Sequence, residues 1–119
     1  MIALSTAFPR ARRLTSGVDY SRVFRGAARS SDRLFTVLAR SNEQPSARLG
    51  LAISRRVAPR AVDRNRLRRI ARESFRQLEL MPLDYVVMAK KESVEAPNQA
   101  VRSSLDRHFI RLSERAGDN

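Results

Sequence analysis

Six arginines stand between positions 64 and 76 of this chain, in the string Arg64-Asn65-Arg66-Leu67-Arg68-Arg69-Ile70-Ala71-Arg72-Glu73-Ser74-Phe75-Arg76, and Glu73 is the one acid among them. A guanidinium is planar, charged at every physiological pH and shaped to fork onto phosphate oxygens, so the chemistry open to this string is the holding of a polyanion. On a helix, Leu67, Ile70, Ala71, Ser74, Phe75 and Leu78 share one side. Asn65, Arg68, Arg69, Arg72 and Arg76 fall opposite, over an arc of roughly 100°. Like charges one turn apart repel by a few tenths of a kcal/mol per pair. An ordinary solvated face intersperses acids at those spacings, and this one does not. A phosphate-rich partner supplies the missing charge.

Bond-breaking chemistry finds less support. The single histidine, His108, has no second group titrating near neutrality with which to divide acid and base roles. The twelve acids are scattered and form no spaced motif for divalent ions. No cysteine is present, which removes disulfides and thiolate metal sites together and suits a reducing cytoplasm, the expected location. For DNA, the usual means of presenting a recognition helix are missing: there is no helix-turn-helix pair, heptad series or set of zinc ligands. RNA fits better, because a basic helix lying across an A-form backbone needs charge and shape more than base-edge contacts.

Holding the arginines in place requires a core. The segment from about Ala61 to Leu78 reads as the main helix, opened by Pro59, with Asp63 complementing its dipole and Met81-Pro82 stopping it. Upstream, Leu34 to Arg40 is rich in strand formers, residues 41–46 are turn chemistry, and Arg48 to Ser54 is a second strand, so the two strands are expected to pair as a hairpin. In the second strand Leu49, Leu51 and Ile53 point one way and Gly50, Ala52 and Ser54 the other. The small-residue face leaves room for a packed helix or for an extended nucleic-acid strand. Asp84 to Ala89 is a short apolar run bounded by breakers, hence a buried strand. Pro97-Asn98 starts a last helix with Val101, Leu105, Phe109 and Leu112 on one stripe; His108, beside that stripe, is either structural or solvated. There is room for a short extra strand near Arg55 to Val57.

Near the N-terminus, Ser16 and Asp19 have the spacing of a capping box, and Tyr20, Val23, Phe24 and Ala27 follow at helical spacing in a first helix ending near Gly26 to Arg29. Tyr20 and Phe24, at i and i+4, suit either the core or a platform for stacking bases. Residues 1–14 lack a period and are expected to form a flexible arm whose arginines are solvated or touch RNA; residues 116–119 are expected to fray. The chain has 119 residues, enough for one domain spanning 1–119. Its formal net charge is +12, and Lys90 and Lys91 are its only lysines. No stretch approaches the length of an apolar membrane span, and the mildly apolar start lacks the leading positive segment of a secretion signal.

The arginine string resembles the signature segment of the bacterial ribonuclease P protein component. The likeness extends upstream to Arg48-Leu49-Gly50-Leu51-Ala52-Ile53-Ser54-Arg55-Arg56, similar to that family's glycine-containing central strand and basic pair. Downstream it extends to Asp84-Tyr85-Val86-Val87-Met88-Ala89-Lys90-Lys91, similar to its last strand. Arg13-Leu14 with Tyr20 and Phe24 matches its first helix, so the resemblance runs from about Phe8 to Leu112. The glycine that many members carry after the basic pair is replaced by Val57-Ala58-Pro59-Arg60. The resemblance implies an α+β fold: a single-domain α/β sandwich of order αβββαβα with a left-handed βαβ crossover, as in the ribosomal protein S5 domain 2-like fold, a handedness that general topology rules disfavour. It also implies a role beside a catalytic RNA that removes the 5′ leader of precursor tRNA, with the catalytic centre in the RNA. Arg64, Asn65, Arg66, Arg68, Arg69 and Arg72 would face the catalytic RNA. Tyr20, Phe24, Ser54, Arg55 and Arg56 would line a cleft for the leader. The partners implied are the catalytic RNA and precursor tRNA, with no membrane and no obligate protein partner. Mg2+ would be required by the ribonucleoprotein and held mainly by RNA. Charge and size without the ordered motifs would suit a ribosome-associated or general RNA-binding protein equally well.

Overall fold

The computed structural model describes residues 27–42 and 44–117. The expected arm and first helix, with Tyr20 and Phe24, lie outside the described residues. Four strands, β1 (Ala28–Ser31), β2 (Phe35–Ser41), β3 (Arg48–Ala52) and β4 (Leu83–Ala89), form one mixed sheet in the order β1-β2-β4-β3. Three helices follow the third strand: α1 (Ala61–Gln77), the single-turn α2 (Glu92–Glu95) and α3 (Asn98–Gly117). β1 with β2 and β2 with β4 are antiparallel, whereas β3 runs parallel to β4 and reaches it through α1. The fold is α+β, with α1 and α3 packed on one face of the sheet.

The hairpin expected from β2 and β3 does not form, because β4 lies between them. The run Leu83–Ala89 is buried on both of its faces except at the half-exposed Met88, and a strand apolar on both sides belongs at the centre of a sheet. With Gly50 and Ala52 on its second face, β3 has little to bury there and takes an edge. The extra strand is also not at residues 55–57, which form a turn closed by the Ala58 N–H donating to the Ser54 carbonyl at 3.0 Å. It is β1, at the place where the first helix was expected to end. Its sequence, Ala-Arg-Ser-Ser, has no apolar alternation to announce a strand. The main helix ends at Gln77, a few residues before Met81-Pro82.

Phe35, Val37 and Ala39 of β2, Leu49 of β3, and Leu83, Tyr85, Val87 and Ala89 of β4 point into the main core. The stripes Leu67, Ile70, Ala71, Phe75 and Val101, Leu105, Phe109, Leu112 close over them, as the helical spacing predicted. Phe75, Tyr85 and Phe109 meet edge to face, with centroids 5.4–5.8 Å apart, and so tie α1, β4 and α3 together. Burial pushes the Tyr85 hydroxyl up to about 12, and it donates to the Met81 carbonyl at 3.1 Å. On the other sheet face Leu38 and Val86 are buried, with Ala27, Ala52 and Met88 against them.

Two polar clusters hold the sheet edges. At one, Asp84 is 1% exposed and accepts a bidentate pair from Arg48, Nε to Oδ1 and Nη2 to Oδ2, both at 2.8 Å. Asn42 Nδ2 also donates to Asp84 at 2.9 Å, and this pins the connection that carries the chain past β4 to β3. At the other edge His108 is buried, so it is structural. Its Nδ1 lies 2.7 Å from Ser30 Oγ on β1, and its Nε2 faces Asp32 at 3.1 Å outside hydrogen-bonding geometry. Burial lowers the His108 pKa below the ordinary 6.5 against the pull of Asp32, and Arg111 and Arg107 lower it further. Burial raises the Asp32 pKa, but hydrogen bonds from Ser104 and the Phe35 and Leu34 N–H groups, with the His108 ring close beside the carboxylate, outweigh it and hold the carboxyl well below 3.8.

Both shifts make the unfolded state the tighter binder of protons. For His108 the folded pKa lies below the unfolded 6.5, so its effect is absent above that pH and stability falls as pH drops through 6.5 toward the folded value. Asp32 adds a second loss as pH falls below 3.8. Urea midpoints should therefore decline between pH 7 and 5, and His108→Gln should flatten that part of the curve. An unchanged slope in the variant would assign the decline to other groups.

Candidate nucleic-acid interface

Arg60 caps α1 with extended backbone, Asp63 sits in the first turn, and the apolar stripe turns the helix so that its polar arc faces outward. Asn65 and Arg69 are exposed and Arg68 is half-exposed. Arg68 Nη1 donates to Asn65 Oδ1 at 3.3 Å, and Arg69 has no side-chain partner among the described residues. Arg72 is half-buried on the same arc and has polar contacts of its own. The arc therefore presents guanidinium groups and one amide side by side.

Arg64 and Arg66 stand on the flanks of the arc and are committed to the fold. Arg64 Nη1 donates to the carbonyls of Ala58 and Pro59 at 2.9 and 2.8 Å, bracing the turn before the helix. Arg66 donates to the Ser93 and Val94 carbonyls at 3.1 and 2.9 Å and to Asn98 Oδ1 at 2.6 Å. It thereby clamps α2 and the start of α3 onto α1. All these acceptors are neutral, so the positive charge is fixed in position without being cancelled. Arg64 and Arg66 thus keep their charge beside the outward Arg68 and Arg69.

Ser54 follows β3 and is exposed; its Oγ accepts the Val57 N–H at 3.2 Å, and its carbonyl closes the turn that projects Arg55 and Arg56 into solvent. That connection, made by Val57-Ala58-Pro59-Arg60 without a glycine, is an ordinary side-chain-assisted turn with Ala58 fully buried. The fold thus brings Ser54, Arg55 and Arg56 to the N-terminal end of α1, while Tyr20 and Phe24 lie outside the described residues.

Sequence reasoning missed the Arg48–Asp84–Asn42 and His108–Asp32–Ser30 clusters. A lone acid at the start of an apolar strand signalled that Asp84 needed a partner, but nothing local pointed to an arginine 36 positions away. Among the described residues no three carboxylate or imidazole groups converge as metal ligands do, and no helix is long and apolar enough to cross a membrane.

A profile of the ribonuclease P family matches residues 8–113. The ribonuclease P protein component of Thioalkalivibrio sulfidiphilus is 47% identical over 114 residues, covering 94% of this chain and 95% of that one. That of Methylococcus capsulatus is 46% identical over 110 residues, covering 91% and 86%. In fold, the chain is similar to the ribonuclease P protein of Staphylococcus aureus, with a TM-score of 0.79 at 24% identity over 88% of this chain and 97% of that one. Profile and relatives span nearly the whole chain, strands and arginine helix together: it belongs to the ribonuclease P protein family, the protein component of an endoribonuclease ribonucleoprotein of tRNA processing, whose partner is the enzyme's RNA subunit.

Proposed function

We propose that α1 anchors this chain to the catalytic RNA while a separate surface holds the 5′ leader of precursor tRNA. The observation that carries the anchor is the outward arc of Asn65, Arg68 and Arg69, whose charge meets no acid. Arg72 extends the arc, and Arg64 and Arg66 add charge at its flanks while bracing the fold. Phosphates of an A-form segment accept from such an arc with little reorganisation, because the helix is fixed by its buried side. The leader cleft is assigned to Tyr20, Phe24, Ser54, Arg55 and Arg56. Aromatic rings stack on unpaired bases for about 1–3 kcal/mol each, and the exposed arginines neutralise the backbone beside them. By holding the leader, the protein favours precursor over product and orients the scissile bond for the RNA.

Among the described residues the acids do not converge in a set of three, and Asp32, Asp63, Asp84 and Asp106 each face an arginine, at 3.5, 3.7, 2.8 and 3.0 Å, which suits magnesium poorly. Mg2+ is accordingly assigned to the RNA, and no step is routed through this chain. The cytoplasm, where tRNA is made and reducing conditions suit a chain without cysteine, is the proposed location.

The leader assignment is tested with holoenzyme reconstituted from this protein. Tyr20→Ala should weaken precursor tRNA by roughly tenfold, the loss of one stacking contact, and leave mature tRNA unchanged. Equal losses for both ligands would place Tyr20 in the core instead.

A further inference from the structure

The strand register gathers a second set of cations at one end of the sheet. Ser31 pairs with Thr36, Phe35 with Ala89, and Met88 with Ala52, so the β1–β2 turn, the residues after β4 and the residues after β3 all lie at the same end. Arg55 and Arg56 follow β3, Lys90 and Lys91 follow β4, and Arg33 sits in the β1–β2 turn. Four strands about 4.8 Å apart make this rim roughly 14 Å long. At its far end a cavity of about 290 Å³ opens between the turn and α3, lined by Asp32, Arg33, Leu34, Ala100, Ser103 and Arg107. That volume is near the lower limit for small-ligand sites and suits one nucleotide.

Arg33 is exposed and has no side-chain partner among the described residues, so the fold has no use for its charge. Arg107 is 60% exposed and reaches Asp32 at 3.5 Å. The Asp32 carboxylate, whose Oδ1 accepts the Leu34 and Phe35 N–H groups and whose Oδ2 accepts Ser104 Oγ, stays charged; it steadies Arg107 and offsets part of its charge, which leaves Arg33 as the uncompensated cation of the lining. Lys90 Nζ donates to Ser31 Oγ and to the Asp32 carbonyl, which sets the rim against the turn. Leu34 and Ala100 give the cavity an apolar wall for a base, and Ser103 adds a hydroxyl.

We propose that this rim and cavity form a distal site for single-stranded RNA, in which Lys90 and Lys91 carry the leader from Arg55 and Arg56 to a nucleotide held by Arg33 and Arg107. The inference rests on the leader assignment above, because the rim begins at that cleft's basic pair. Its test is the affinity of reconstituted holoenzyme for precursor tRNAs whose leaders are lengthened one nucleotide at a time. Wild type should show a second gain in affinity once the leader outgrows the cleft. Arg33→Ala with Arg107→Ala should remove that gain, about tenfold for two exposed ion pairs, and lower the salt slope by about 1.4 for long leaders only. Arg33→Glu alone, at a position with no role in the fold, should remove it as well. Absence of a second gain in wild type, an equal loss for short and long leaders, or a loss confined to catalytic RNA binding would each overturn the proposal. Preference for a short-leader precursor over mature tRNA reports the cleft itself, so failure of the cleft and failure of the distal site are read separately.

Discussion

Asp84→Ala is expected to cost the folded state about 3 kcal/mol, the lower end of the range for breaking a buried ion pair, because Arg48 keeps some access to solvent. Asp84 itself is 1% exposed and receives three hydrogen bonds, two from Arg48 and one from Asn42. Removing the carboxylate leaves the guanidinium and the amide facing each other across the end of β4 with no acceptor between them. Small domains have only about 5–15 kcal/mol of stability, so the urea midpoint should fall steeply. Asp84→Asn should fall less, since one acceptor survives. Combining Asp84→Ala with Arg48→Met should recover part of the loss, because the stranded charge then disappears with its partner. A loss below about 1 kcal/mol for Asp84→Ala would mean that the pair contributes no more than a surface salt bridge.

The second large effect lies on α1. Arg68→Ala with Arg69→Ala should weaken binding to the catalytic RNA by tenfold or more and reduce its salt slope by about 1.8, at roughly 0.9 per phosphate contact on a duplex. Neither side chain braces the fold beyond the Arg68–Asn65 contact, so the urea midpoint should stay near wild type. Arg66→Ala separates the two kinds of arginine: it strands the Ser93 and Val94 carbonyls and frees α2, so stability falls together with binding. Comparable stability losses in both variants would show that the arc is structural.

α1 and α3 were legible because each carries an apolar stripe at 3.6-residue spacing, and burial of Leu67, Ile70, Ala71 and Phe75, and of Val101, Leu105, Phe109 and Leu112, follows it; the single turn of α2 is too short to carry one. The arginine arc was legible for the same reason, since fixing the buried side fixes its opposite. Strand order was not. Arg48–Ala52 and Leu83–Ala89 read as strands from their composition, but their parallel pairing depends on which strand most needs cover on both faces, a comparison among distant segments. β1 was invisible because its contacts beyond the β2 ladder are polar and distant in sequence, Ser30 with His108 and Arg111 and the Arg29 carbonyl with Arg115, and no apolar alternation marks it. The wheel left Arg64 and Arg66 off the arc, and the family resemblance that set them facing RNA did not reveal that both are bonded to backbone carbonyls.

On the function proposed above, this chain strengthens an enzyme whose chemistry belongs to RNA. The most direct test is precursor tRNA cleavage by the cognate catalytic RNA across a magnesium titration, with and without the protein. The protein should lower the magnesium needed for 5′ leader removal and cleave nothing by itself. An unshifted titration with intact RNA, or cleavage by the protein alone, would contradict it.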